Sequence, residues 1–140
     1  LETIRLYLAD DDKDDREIFI QALGEIPFRT EVTQFDNGVD LMANLFSAQE
    51  LPHVIFLDLY MPIMDGFECL YDIRNFSKFD GIKIVVYSTS YVKREVKQLK
   101  QDGADQYLQK PTSFNELKLG LKKSLETIVQ VKNSFSTIIV

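Results

Sequence analysis

Short apolar runs alternate with stretches of helical period from one end of this chain to the other. That alternation restricts the fold more than any other feature. The runs are Ile4–Ala9, residues 31–35, Val54–Leu57, residues 82–87 and Gln106–Gln109, each of strand length. Between them apolar residues recur at three- and four-residue spacing: Ile18, Phe19, Ala22 and Leu23, then Leu41, Met42, Leu45 and Phe46, then Phe67, Leu70, Tyr71 and Ile73. A helix over 92–101 and a last one with Phe114, Leu117, Leu121, Leu125 and Ile128 on one stripe complete the series. Strands that alternate with helices predict an α/β domain with a parallel sheet. Val54–Leu57 is wholly apolar, as a strand covered on both faces must be. Gly24 and Pro27, Asp36-Asn37-Gly38 and Asp80-Gly81 punctuate the series. Gly103 reads as a left-handed helix cap, and Ser113 with Glu116 as a capping box. Five strands and five helices are therefore expected within residues 1–130. Residues 131–140 form a tail outside the alternation. Its end, Ser136-Thr137-Ile138-Ile139-Val140, is apolar and β-prone, so it either packs against its own domain or a second chain, or frays.

Bulk properties exclude several classes. A length of 140 residues fits one domain, and 45% hydrophobic residues suffice for a core. The net charge of −6 argues against a nucleic-acid-binding surface. No apolar stretch approaches the roughly 18–20 residues that span a bilayer, and no signal peptide is visible. The single cysteine, Cys69, allows no internal disulfide and is expected to face the core. A cytoplasmic protein without membrane contact is the expectation.

Polar residues immediately follow the apolar runs. Asp10 and Asp11 follow the first run, Asp58 the third, Ser88 the fourth and Lys110 the fifth. Open parallel sheets bind ligands at the carboxyl ends of their strands. Such a sheet would gather three carboxylates, a hydroxyl and an ammonium into one pocket. That set suits a hard divalent cation and a phosphoryl group.

These residues closely resemble the receiver domain of two-component response regulators, over about residues 4–129. The resemblance rests on the acidic pair Asp10-Asp11, Asp58 followed by Met61-Pro62 and Asp65-Gly66, Ser88-Thr89, Gly103-Ala104-Asp105 and Lys110-Pro111. Singly each motif is weak; together, in order and at matching spacing, they are strong. The chain looks most like stand-alone receivers. The resemblance implies a doubly wound, five-stranded flavodoxin-like (βα)5 fold. It makes Asp58 the phosphoacceptor for a sensor histidine kinase or histidine phosphotransfer protein, with Mg²⁺ as cofactor. Asp11 would bind the metal directly and Asp10 through water, and the main-chain carbonyl of Tyr60 would complete the protein ligands with Asp58. Ser88 and Lys110 would contact the phosphoryl oxygens, and the Lys110–Pro111 bond would be cis. Ser88 and Tyr107 would form the switch. Such a protein is not a free-standing enzyme: it catalyses its own phosphorylation and dephosphorylation, then acts on a downstream protein target.

The other notable residues read more plainly. Asp14 and Asp15 are expected to be solvated at a helix N-terminus, where acids favour the dipole. Asp12 is intermediate, either solvated like them or bearing on the metal through the groups that hold it. His53 reads as a loop residue rather than a phosphodonor. Lys93, Arg94, Lys97 and Lys100 form a basic stripe on the fourth helix, either solvated or facing an acidic partner or a second copy of the chain. Two departures from the commonest family pattern stand out: Ser rather than Thr at 88, a mild change that keeps the hydroxyl, and bulky Tyr60 with small Ser90 beside the site, which bear on phosphate lifetime. Two other functions compete. A haloacid-dehalogenase-type phosphatase would use Asp10 as nucleophile and Asp12 as acid, but it leaves Asp58 idle and needs a later acidic pair. A pseudo-receiver would bind without phosphorylation, and the complete residue set argues against it.

Overall fold

The core grows from the period of two along each strand, which sends alternate side chains to opposite faces of one sheet. The structure, a computed structural model, describes residues 3–129 and 136–138. Its strands are β1 (Ile4–Ala9), β2 (Thr30–Phe35), β3 (Val54–Leu57), β4 (Lys83–Ser88), β5 (Gln106–Gln109) and β6 (Ser136–Ile138). The helices are α1 (Lys13–Leu23), α2 (Gly38–Ser47), α3 (Gly66–Arg74), α4 (Lys93–Gln101) and α5 (Phe114–Val129). All pairings are parallel, in the order β2-β1-β3-β4-β5-β6. On one face Leu6, Leu8, Phe56, Val85 and Leu108 pack against Phe19 of α1 and Leu117, Leu121 and Leu125 of α5. On the other, Ala9, Ile55, Leu57, Val86 and Tyr107 meet Leu41 and Leu45 of α2, Leu70 and Ile73 of α3, and Val96 and Leu99 of α4. This is the expected doubly wound (βα)5 arrangement, with five strands and five helices in alternation.

The tail adds to it. Ser136–Ile138 pair with β5 as a sixth, edge strand, Gln106 opposite Ser136. The rest of the tail lies outside the described residues.

Periodicity misplaced a few side chains. Ile18, Phe46 and Tyr71, expected on apolar faces, are 46%, 45% and 63% exposed. Each stands at the border of its helix's buried stripe, where one step of 100° carries a residue into solvent. The helix starts are better explained by their caps. Asp12, Asn37 and Asp65 accept hydrogen bonds from the backbone N–H groups of Asp15, Asp40 and Glu68. The reciprocal capping box belongs to α3, between Asp65 and Glu68. At α5 Ser113 Oγ accepts from Glu116 N at 3.1 Å, the forward half of the expected box. Gly103 has φ +107°, as expected of a left-handed cap. No helix among the described residues is long and apolar enough to cross a membrane. Cys69 is buried, and its burial pushes the thiol up to about 12, so it is inert packing.

Candidate phosphoryl-transfer site

Sheet register builds the site. Ala9 stands opposite Leu57, so the next residues, Asp10 and Asp58, leave the sheet side by side. Asp58 N donates to Ala9 O at 2.9 Å and Asp10 N to Phe35 O at 3.0 Å, which fixes both backbones. Ser88 ends β4 opposite Gln109, and Lys110 N donates to Ser88 O at 2.7 Å. Four strand ends thus converge on one point. Gly66 lets α3 begin against the backbone below: a β-carbon there would lie 2.2 Å from Asp58 O and 2.8 Å from Leu59 Cα.

The Lys110 ammonium sits at the centre. Its Nζ donates to Asp10 Oδ2 at 2.8 Å, Asp15 Oδ2 at 3.1 Å and Asp58 Oδ2 at 3.2 Å. Its side chain is only 9% exposed, and the Tyr87 ring lies below it, 5.1 Å from Nζ. Burial alone would lower the lysine's affinity for its proton. The Asp10 hydrogen bond and the Asp58 and Asp10 charges outweigh it, so the group is held firmly as an ammonium. Asp58 is pushed up to about 6. Burial is the main cause, opposed by Lys110 and reinforced by the Asp10 charge. The ion pair alone would have moved Asp58 down; desolvation and the second carboxylate win.

Carboxylate oxygens of Asp10, Asp11 and Asp58 lie within 4.8 Å of one another. Asp10 and Asp58 are buried and Asp11 is exposed, which leaves the cluster open on one side. Hard oxygen donors at this separation fit a divalent cation of the Mg²⁺ type. Tyr60 N lies 3.4 Å from Asp58 Oδ1, so its main chain borders the site. Its side chain reaches outward to Glu95 of α4, 3.3 Å from hydroxyl to carboxylate. Ser88 is fully buried, with its hydroxyl 3.3 Å from Ser90 Oγ. Tyr107 is turned inward, 1% exposed, and its hydroxyl donates to the Ser90 carbonyl. Burial raises its phenol pKa.

The structure therefore gathers Asp10, Asp11, Asp58 and Lys110 and sets Ser88 and Tyr107 on the adjoining strand ends. It departs from expectation at two points, the Lys110–Pro111 bond and Asp15. The Lys110–Pro111 bond is trans, as no peptide bond among the described residues is cis; proline makes the two isomers nearly isoenergetic, so the motif alone does not choose. Asp12 serves as the α1 cap, while its N–H donates to Asp10 Oδ1 at 2.9 Å. Asp15, read as solvated, is paired with Lys110. Its one sequence signal was its place in the first turn of the helix that follows the acidic pair, a place Asp14 shares. His53 lies among β1 and β4 residues: its Nδ1 accepts from Arg5 N at 2.9 Å, and burial with the Arg5 charge lowers its pKa. It is a neutral structural acceptor.

A doubly wound sheet with this cluster at its strand ends defines a receiver, and comparison agrees. The family model of the response regulator receiver domain matches residues 6–122, so the chain belongs to that family. Protein PilG of Pseudomonas aeruginosa is 27% identical over 128 residues, 91% of this chain and 92% of that protein. The sensor histidine kinase CheAY of Helicobacter pylori is 26% identical over 117 residues, 84% of this chain but only 14% of the kinase. The crystal structure of the phosphorylated cyanobacterial phytochrome response regulator RcpA superposes with a TM-score of 0.83 at 25% identity, covering 93% of this chain and 96% of that one. Membership of this family implies phosphorylation-dependent signalling.

Proposed function

We propose that Asp58 accepts a phosphoryl group from the phosphohistidine of a sensor histidine kinase or phosphotransfer protein. The observation that carries this reading is the Lys110 ammonium bridging Asp10 and Asp58 at 2.8 and 3.2 Å. An Asp58 oxygen attacks phosphorus, the P–N bond to the donor imidazole breaks, and the imidazole keeps the electron pair. A pKa near 6 leaves Asp58 ionised and nucleophilic at neutral pH. Asp10, Asp11, Asp58 and the Tyr60 carbonyl would hold Mg²⁺, which when bound neutralises charge on the phosphoryl oxygens. Lys110 supplies a fixed positive charge to the same oxygens, and Ser88 a hydroxyl donor.

Readout would run through Ser88 and Tyr107 to the surface of α4, β5 and α5. Tyr107 touches Tyr91 edge-on, with ring centroids 5.7 Å apart, and the exposed Lys93, Arg94, Lys97 and Lys100 stand just beyond. An acidic partner protein or a second copy of this chain fits that stripe better than nucleic acid does. Residues 1–130 would act as the receiver unit, in the cytoplasm, and 131–140 as its tail.

The test is incubation with acetyl phosphate and Mg²⁺, read by intact mass. One phosphoryl group adds about 80 Da, and Asp58→Asn should abolish the gain. Label that persists on Asp58→Asn, or sits on Asp10, refutes the assignment. No label on the parent chain favours a binding module.

A further inference from the structure

We propose that Asp15 is a positioning residue for Lys110: it holds the ammonium in place while the other two partners are engaged in metal binding and phosphoryl transfer. The proposal rests on the reading of Asp58 as phosphoacceptor. A lysine ammonium has three N–H donors. Here all three are used, on Asp10, Asp15 and Asp58. Two of those acceptors belong to the three-carboxylate cluster, and one of them takes the phosphoryl group. Asp15 belongs to neither role, so it alone can stay on the ammonium throughout.

The local structure is built for this. Asp15 lies in the first turn of α1, its own N–H bonded to the Asp12 cap at 3.1 Å. That cap is tied in turn to Asp10 Oδ1 through Asp12 N at 2.9 Å. The carboxylate thus reaches Lys110 from a backbone anchored to the site. Asp15 is 40% exposed and Lys110 9%, so Asp15 closes the solvent side of the ammonium where water would otherwise be the third acceptor. A charge-assisted hydrogen bond from a rigid helix turn fixes position better than water does. A charge displaced by about 1 Å from a developing transition state loses much of its effect.

Positioning and simple charge predict opposite signs. An anionic donor approaches the site, so removing a nearby negative charge should by itself speed phosphorylation. Loss of an anchor should slow it. We expect Asp15→Ala to lower the maximal rate with acetyl phosphate about fivefold, with the half-saturating donor concentration little changed, and Asp15→Asn to fall between. Asp14→Asn, one residue away and exposed, removes the same charge and should leave the maximal rate unlowered. The second readout needs neither metal nor donor: in EDTA, the ¹⁵N-detected ammonium signal of Lys110 should exchange faster with water in Asp15→Ala than in the parent. An equal or faster phosphorylation rate in Asp15→Ala overturns the proposal, as does an unchanged Lys110 signal. If the parent chain takes no phosphoryl group, the Asp58 assignment fails, and the ammonium signal alone still decides whether Asp15 is the anchor.

Discussion

Asp58→Asn should make the metal-free protein more stable, although it removes a partner from Lys110. The Asp58 carboxyl rises from an ordinary 3.8 to about 6 on folding. A group whose pKa is raised by folding binds its proton more tightly in the native state. Its contribution is complete below pH ~4 and is lost as pH rises through about 6. At pH 8 the ionised carboxylate therefore costs the fold on the order of 3 kcal/mol. The Lys110 attraction is already inside that figure, because it opposes the shift. Asn resembles the neutral acid imperfectly, so a gain of about 2 kcal/mol is expected at pH 8, which for a domain of this size is on the order of 5–10 °C in Tm. Lys110 keeps Asp10 and Asp15, so no buried ammonium is stranded. The assay is urea denaturation in EDTA from pH 4.5 to 8. Far-UV circular dichroism is the probe, since the chain has no tryptophan. The two proteins should converge at the acid end and separate by about pH 7. Mg²⁺ at ten times its Kd should return roughly 1.4 kcal/mol to the parent. An Asp58→Asn protein that is no more stable than the parent at pH 8, with the same pH slope, would refute burial as the dominant influence on Asp58.

Asp11→Ala should abolish Mg²⁺-dependent stabilisation and phosphorylation together; retention of either in urea melts or intact mass removes Asp11 from the metal site. Gly66→Ala should cost more than about 3 kcal/mol, because its β-carbon would meet the Asp58 carbonyl at 2.2 Å; a loss under about 1 kcal/mol in the same melts would mean the loop moves aside freely. Tyr107→Phe orphans the Ser90 carbonyl and should cost about 1–2 kcal/mol while leaving Asp58 phosphorylation intact. Charge reversal at Lys97 and Lys100 should weaken partner or self-association, measured by sedimentation velocity at two salt concentrations, with phosphorylation unchanged. If only changes on α1 weaken binding, the output surface is misplaced.

The fold was legible because each strand carries its own boundary. Val54–Leu57 is apolar at every position and Asp58 stops it, so length, burial and site came from the same five residues. The cluster was legible for the same reason: a parallel sheet places whatever follows each strand at one end. What escaped was side-chain reach. Nothing in the spacing distinguishes Asp15, which turns back to Lys110, from Asp14, which faces solvent. The choice depends on where α5 and the Lys110 loop sit against α1, a tertiary fact. Ile18 escaped likewise: it follows helical period, yet lies in the cleft that α1 forms with Tyr87, Pro111 and Phe114.

The electrostatic balance of the site follows from that tertiary placement. Three acids pair with one lysine, and the buried carboxylates of Asp10 and Asp58 repel each other unless that lysine stays charged between them. Lys110 therefore has a structural duty before any phosphoryl group arrives. Its removal should leave two buried carboxylates facing each other and drive Asp58 further upward, away from the ionised form that would attack phosphorus on the proposed function. A neutral replacement at 110 would then lose phosphorylation twice over, through the missing charge on the phosphoryl oxygens and through a weaker nucleophile. A divalent metal held by Asp10, Asp11 and Asp58 would relieve the carboxylate repulsion, and so the second loss, and would offset the first only in part, because the ammonium's own charge on the phosphoryl oxygens would still be missing.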